Sequence, residues 1–283
     1  MNPLTIKHTT FGDGVPKICI PITGRTENEI LKAAEKISRL PADVAEWRAD
    51  YYEAVTEPGA VLPVLAALRK RLPDTLLLFT FRTKKEGGDR ALSDEAYLEL
   101  CRTAAGSGLA DLLDLELFTG AEPAQTKTDG QTGTDRQTEL SAQTKTGVQA
   151  EPAPDRRLLE PVISFAQARG CRVILSSHDF QRTPPGDELL RRLSLMEALG
   201  ADLAKAAVMP NCGQDVLTLL SATRTAADTL SCPVITMSMG KLGAVSRVSG
   251  ALTGSCLTFG TAGEASAPGQ LPAGILKQIL DAL

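Results

Sequence analysis

Histidine is nearly missing from this chain: 283 residues hold only His8 and His178. Imidazole chemistry therefore has two candidate centres at most. Paired cysteines are missing too. The six cysteines (Cys19, Cys101, Cys171, Cys212, Cys232, Cys256) are scattered without one CxxC spacing, most of them in apolar segments. That pattern argues against a metal site and a disulfide framework, and for reduced, packed thiols in a cytoplasmic protein. No apolar run reaches the roughly 18 residues that span a bilayer. The N-terminal MNPLTIKHTTFGDG lacks the apolar stretch of a secretory signal. There is no surplus of positive charge: the net charge is −4, which removes any general attraction to nucleic acid or an anionic membrane.

What is there has ordinary globular composition, 43% hydrophobic and 23% charged. Short apolar runs alternate with segments of helical period. PKICIPI, VAEWRAD, TLLLFTFR, DLLDLEL, RVILSSHD, LAKAAVM, PVITMSM and CLTFG read as strands. TENEILKAAEKISRL opens with Thr26 and Glu29 in capping-box spacing. SDEAYLELCRTAAGSG opens on Ser93 and stops at Gly106, GDELLRRLSLMEALG runs to Gly200, and QDVLTLLSATRTAADTL repeats the helical period. Strict βα alternation demands a parallel sheet with right-handed crossovers. Eight such units predict a (β/α)8 barrel, one domain over residues 1–283. The competing open doubly wound sheet has fewer strands, and no GxGxxG follows the first one. LTIKHTTFGDGVPK, ahead of the first strand, predicts a hairpin turning at GDG and closing the barrel bottom.

One stretch breaks the pattern. Residues 121–156 have no aromatic side chain, and QTKT occurs twice. Such a composition buries too little apolar area to offset its ordering entropy. It reads as a polar insertion in the top-face loop after the fourth strand.

Catalytic groups of a barrel gather at the carboxyl ends of the strands. Glu46, Arg48 and Asp50 are two apart and so on one face, as are Asp114 and Glu116. Arg82 ends the third strand, His178 and Asp179 the fifth, and Lys205 sits within the sixth. A lysine inside a tight apolar barrel loses hydration, which disfavours its ammonium and lowers its pKa from about 10.4. A neutral amine condenses with ketones to give an imine. The rival reading pairs Lys205 with Glu46, Asp50, Asp114 or Glu116. His178, one strand away, can take and return a proton near pH 7. Arg48, Arg82 and Arg247 predict a positive mouth for an anionic small molecule, carboxylate rather than phosphate, since no clear glycine-rich phosphate loop follows.

Taken in order, EWRADYYE, FTFRTKKEGG, DLLDLELFTG, SSHDFQRTP, ALGADLAKAAVMP, PVITMSMGKLGAVSR and ASAPGQ resemble the type I 3-dehydroquinate dehydratases, the Schiff-base dehydroquinases of the shikimate pathway. The resemblance spans nearly the whole chain outside the polar insertion. It implies that Lys205 forms the imine and that His178 is the general acid and base, oriented by Glu86. It implies that Arg247 holds the substrate carboxylate, while Glu46, Arg48 and Arg82 bind hydroxyls and order the site. Ser266 and Gln270 fall on a loop that closes over the substrate, and Asp50, Asp114 and Glu116 fit as supporting carboxylates. Pro21 stands where relatives carry Ser.

The implied reaction removes water from 3-dehydroquinate in the route to chorismate and the aromatic amino acids. It needs no metal or organic cofactor, and the implied assembly is a homodimer. Two rivals keep the fold: a Schiff-base aldolase acting on a phosphorylated substrate, and a non-catalytic barrel that senses a carboxylate metabolite.

Overall fold

The computed structural model describes residues 1–120, 153–263 and 267–283. The eight apolar runs form β3 (Lys17–Ile22), β4 (Val44–Arg48), β5 (Leu76–Thr80), β6 (Leu112–Glu116), β7 (Arg172–Asp179), β8 (Leu203–Val208), β9 (Val234–Ser238) and β10 (Leu257–Thr261). All pair in parallel, in the order β10-β3-β4-β5-β6-β7-β8-β9. The ring closes through a bridge between Val234 and Ser255 and the Cys256 N–H donating to the Val234 carbonyl at 2.8 Å. A two-residue β11 (Leu271–Pro272) adds to β10. This is the (β/α)8 barrel the alternation predicts.

The helices are α1 (Glu27–Ile37), α2 (Val61–Arg71), α3 (Asp94–Gly106), α4 (Arg156–Gln167), α5 (Gly186–Ala198), α6 (Gly213–Thr229), α7 (Gly250–Thr253) and α8 (Ala273–Ala282). Local chemistry explains their starts. Thr26 accepts from the Glu29 N–H while the Glu29 carboxylate accepts from the Thr26 N–H, and Ser93 caps α3. Gly200 ends α5 with φ of 89°.

Period-two alternation sorts the strand side chains into two cores. Ile20, Trp47, Phe79, Leu115, Leu175 and Ala206 point out against the helices, while Val44, Leu76, Leu112, Ile174, Leu203 and Leu257 fill the barrel. β1 (Leu4–Ile6) and β2 (Thr9–Phe11) form the expected hairpin, and Ile6 and Phe11 join the inner core. The turn is not at GDG. It lies at Lys7–His8, where Lys7 takes φ of 52°, and GDG follows β2 as the link to the barrel.

The polar stretch also needs a new boundary. Residues 121–152 lie outside the described residues, between β6 and α4. Asp155, by contrast, caps α4 by accepting from the Arg157 N–H, and Arg156 is already helical.

Candidate active site

Register builds the site. Pro21 pairs with Glu46, Thr80 with Asp114, and Ser176 with Lys205, so these side chains form one inward layer above the apolar one. Two residues further along the same strands come Arg48, Glu116, His178 and Ala207. Of these two rows, Glu46, Lys205, Arg48, His178 and Ala207 line a cavity at the carboxyl end of the barrel. Glu46, Arg48, Arg82, Glu86, His178, Lys205, Arg247 and Gln270 all line it.

Lys205 is 3% exposed. Its Nζ donates to Asp114 Oδ2 at 2.9 Å and lies 4.7 Å from the centre of the Phe259 ring. Of the two readings of the sequence, the geometry supplies the pairing: Asp114 is the buried carboxylate partner of Lys205. Asp114 is held in turn by Arg82 Nη2 at 2.7 Å and the Ser176 hydroxyl at 2.6 Å. Burial would raise its carboxyl, but Arg82 and Lys205 overcome this and hold it well below the usual range.

The positive mouth needs correction. Arg82 is spent on Asp114, Glu116 and, at 3.5 Å, Glu86. Arg48 makes two 2.8 Å bonds to Asp50. Asp50 is not on the strand with Glu46 and Arg48. Its strand ends at Arg48, and Asp50 is fully buried in a 3₁₀ turn (Ala49–Tyr51), where it also accepts from the Arg82 and Asp89 N–H groups. Five carboxylates (Glu46, Asp50, Glu86, Asp114, Glu116) face four cations (Arg48, Arg82, Lys205, Arg247), so the site as a whole is not positive.

The free positive charge is local, at Arg247. It is 1% exposed, and no carboxylate pairs with it among the described residues. Its donors reach the Pro268 carbonyl at 2.9 Å and the Phe259 carbonyl at 3.4 Å, while Nε has no partner. Burial alone brings its pKa down to about 10. A buried guanidinium in this state has donor capacity left for an anion.

His178 Nδ1 lies 2.8 Å from Glu86 Oε2. Burial, then the charges of Arg82 and Lys205, hold the imidazole well below its ordinary value. Burial and the nearby Glu116 push Glu86 up. The loop carrying Glu86 is tight: a Cβ on Gly88 would meet the Arg82 carbonyl at 1.8 Å. With Nδ1 engaged, the imidazole's remaining nitrogen, Nε2, is available to the cavity that His178 lines.

Glu46 accepts from the Thr80 hydroxyl at 2.9 Å. Glu116, beneath the surface of the cavity, accepts from Arg82, the Thr83 N–H and the Thr83 hydroxyl. Ser266 lies outside the described residues. Sequence reasoning missed the apolar wall: Ala207, Met237, Met239 and Phe259, with Phe180 stacked on His178 at 6.5 Å. The signal was present, since Ala207 sits two beyond Lys205 and the methionines alternate in PVITMSM.

The family model of the type I 3-dehydroquinases matches residues 18–140 and 147–283. A 3-dehydroquinate dehydratase of Klebsiella pneumoniae subsp. pneumoniae is 44% identical over 283 residues, covering 100% of this chain and 99% of its own. One from Listeria monocytogenes serotype 4b is 42% identical, covering 100% and 98%. Among solved structures, the type I 3-dehydroquinate dehydratase of Clostridium difficile, crystallised with covalent modified comenic acid, superposes with a TM-score of 0.84. It is 36% identical and covers 99% of this chain and 97% of its own. The Enterococcus faecalis enzyme gives 0.82 at 36% identity, covering 99% of each chain.

Proposed function

The chain belongs to the type I 3-dehydroquinase family, and from that membership we propose that it is a 3-dehydroquinate dehydratase working through a Schiff base on Lys205. The observation that carries the assignment of roles is the juxtaposition of three groups in one cavity: a buried lysine, an imidazole on the neighbouring strand, and an arginine without a carboxylate.

The substrate carboxylate completes Arg247, and ring hydroxyls meet Glu46 and Arg48. That fixes the ketone over Lys205. The amine must first lose a proton. Asp114, held low by Arg82, keeps the ammonium in place rather than accepting from it, so the neutral imidazole is the base available. The amine then adds to the C3 ketone, and the imidazolium returns its proton to the carbinolamine hydroxyl, which leaves as water to give an iminium and a neutral His178. This cation withdraws electrons from the C2–H bond, and His178 Nε2 takes the C2 proton to leave an enamine. As the C1–O bond breaks, the electron pair returns through the enamine and the same imidazole protonates the departing hydroxyl. Hydrolysis of the imine returns Lys205 and releases 3-dehydroshikimate. The Glu86 carboxylate, whose proton affinity burial and Glu116 raise, can take up the Nδ1 proton while Nε2 holds the substrate's, so the buried pair need not carry a full imidazolium. The apolar wall keeps bulk water off the imine.

The reading includes a homodimer and a cytoplasmic location, with the chain as one barrel domain and the polar stretch as an insertion after β6. No helix among the described residues is long and apolar enough to cross a membrane. The lack of a clear glycine-rich phosphate loop in the sequence after the seventh or eighth strand weighs against an aldolase. Borohydride added with 3-dehydroquinate should fix a mass adduct on the tryptic peptide holding Lys205. An adduct elsewhere, or none, removes the assignment, and binding without turnover would favour the metabolite sensor.

A further inference from the structure

At the barrel floor one arrangement occurs three times. Asp43 donates its N–H to the Ile18 carbonyl at 2.9 Å, and its carboxylate accepts from the Ile18 N–H at 2.7 Å. Asp111 does the same to Leu77, at 2.9 Å in both directions. Asp202 does it to Val173, at 2.9 and 2.8 Å. Each aspartate stands just before an even-numbered barrel strand (β4, β6, β8) and closes a two-bond ring on the strand before it. The fourth even strand, β10, uses Ser255, whose hydroxyl accepts from the Thr236 N–H at 3.0 Å.

Three residues above each aspartate lies a charged member of the reacting layer: Glu46 above Asp43, Asp114 above Asp111, Lys205 above Asp202. Three residues above each clamped partner lies that member's register mate: Pro21, Thr80 and Ser176. At about 3.3 Å per residue, the clamp is about 10 Å below the chemistry. Strand register decides which side chains face inward and at what height, and a slip of one residue would turn them outward. Above Ser255 the same offset gives Thr258, which is not charged and bonds the Arg247 carbonyl. The clamps that use a carboxylate are thus the three beneath charged residues.

We propose that Asp43, Asp111 and Asp202 are positioning residues, each setting the height of the charged side chain three places above it, with Asp202 placing the imine-forming amine. Their other partners tie the clamps to the shell. Asp111 also binds Arg69 and Lys7, and Asp202 binds Arg172 and Gln167. A carboxylate oxygen that accepts a strand's first free N–H leaves that strand little freedom to slide. Displacing a reacting group by about 1 Å costs about a hundredfold in rate, so even partial loosening is measurable.

The inference rests on Lys205 being the imine lysine, and the experiment separates the two. Single-turnover borohydride trapping with 3-dehydroquinate is compared in wild type, Asp202→Ala, Asp202→Asn and Asp43→Ala, with melting temperatures alongside. Asp202→Ala should slow trapping and kcat about tenfold or more, with KM little changed. Asp202→Asn, which keeps the accepting oxygen, should restore most of the rate. Asp43→Ala should instead raise KM, because Glu46 binds substrate, and leave trapping near wild type. If Asp202→Ala does not fold, Asp202→Ser supplies the intermediate case, with slowed trapping expected. A merely structural role predicts that the alanine variants melt lower alike while trapping and KM stay at wild-type values, and that result overturns the proposal. Failure of the wild type itself to trap at Lys205 would instead sink the reading on which it rests.

Discussion

His178 is the residue whose environment says most about its working range. Burial and the charges of Arg82 and Lys205 lower its proton affinity, so it remains a base at pH values where a free imidazole is already charged. The acid limb of kcat/KM should therefore fall below about pH 6.5, the ordinary value, in a pH–rate profile. A midpoint at or above that value contradicts the assigned role. The same shift bears on stability. Only the unfolded chain gains this proton as pH falls through 6.5, so the contribution of His178 to folding is complete above that value and is lost below it. Asp114 acts in the same direction further down: its contribution is present above the ordinary carboxylate value of 3.8 and is lost as pH falls below it. Glu86, raised, opposes both, since the folded state holds its proton more tightly. None of this was legible from residue spacing. Spacing put Lys205 and Asp114 on inward faces, but they are 91 residues apart and their 2.9 Å contact is a product of the closed ring.

At the scale of elements, the loop after β5 does the most with the fewest residues. Glu86 reaches His178 because Gly87 takes φ of 82° and Gly88 passes under the Arg82 carbonyl. A methyl at Gly88 cannot fit without moving that loop. Gly88→Ala should therefore lower kcat at least about tenfold through lost alignment of His178, with KM changing less. Steady-state kinetics test this, and unchanged kcat would mean the Glu86–His178 contact is dispensable. Much at this scale could be read in advance. All eight strands, the Thr26 and Ser93 caps and the stop at Gly200 follow from period and punctuation. Asp50 did not, because period-two counting carries a strand on past its end, whereas a 3₁₀ turn brings the Asp50 carboxylate back onto Arg48. The hairpin turn was misjudged for a related reason: GDG is the stronger glycine signal, but the pairing of Leu4 with Phe11 leaves only Lys7 and His8 to turn the chain.

At the scale of the molecule, the helical shell is uneven. Most strands are backed by helices of 10 to 17 residues, but the segment after β9 has only a 3₁₀ stretch (Leu242–Arg247) and the four-residue α7. Leu242, Val245 and Leu252 are exposed there, Leu252 at 77%, with Leu217 exposed on the adjoining α6. A thin wall bearing large apolar side chains is where a second copy would add cover. Sedimentation should give twice the chain mass of 30.0 kDa, and a Leu217→Glu, Leu252→Glu double variant should return the single-chain mass. A monomeric wild type ends the dimer reading.

The hairpin at the barrel floor has a kinetic corollary. With Ile6 and Phe11 stoppering one end of the cylinder, the described residues leave reactant, leaving water and product the cavity at the other end as a shared doorway. Turnover is then a queue: the departing molecule must clear the threshold before the next can enter, and product accumulating outside competes for the same vacancy.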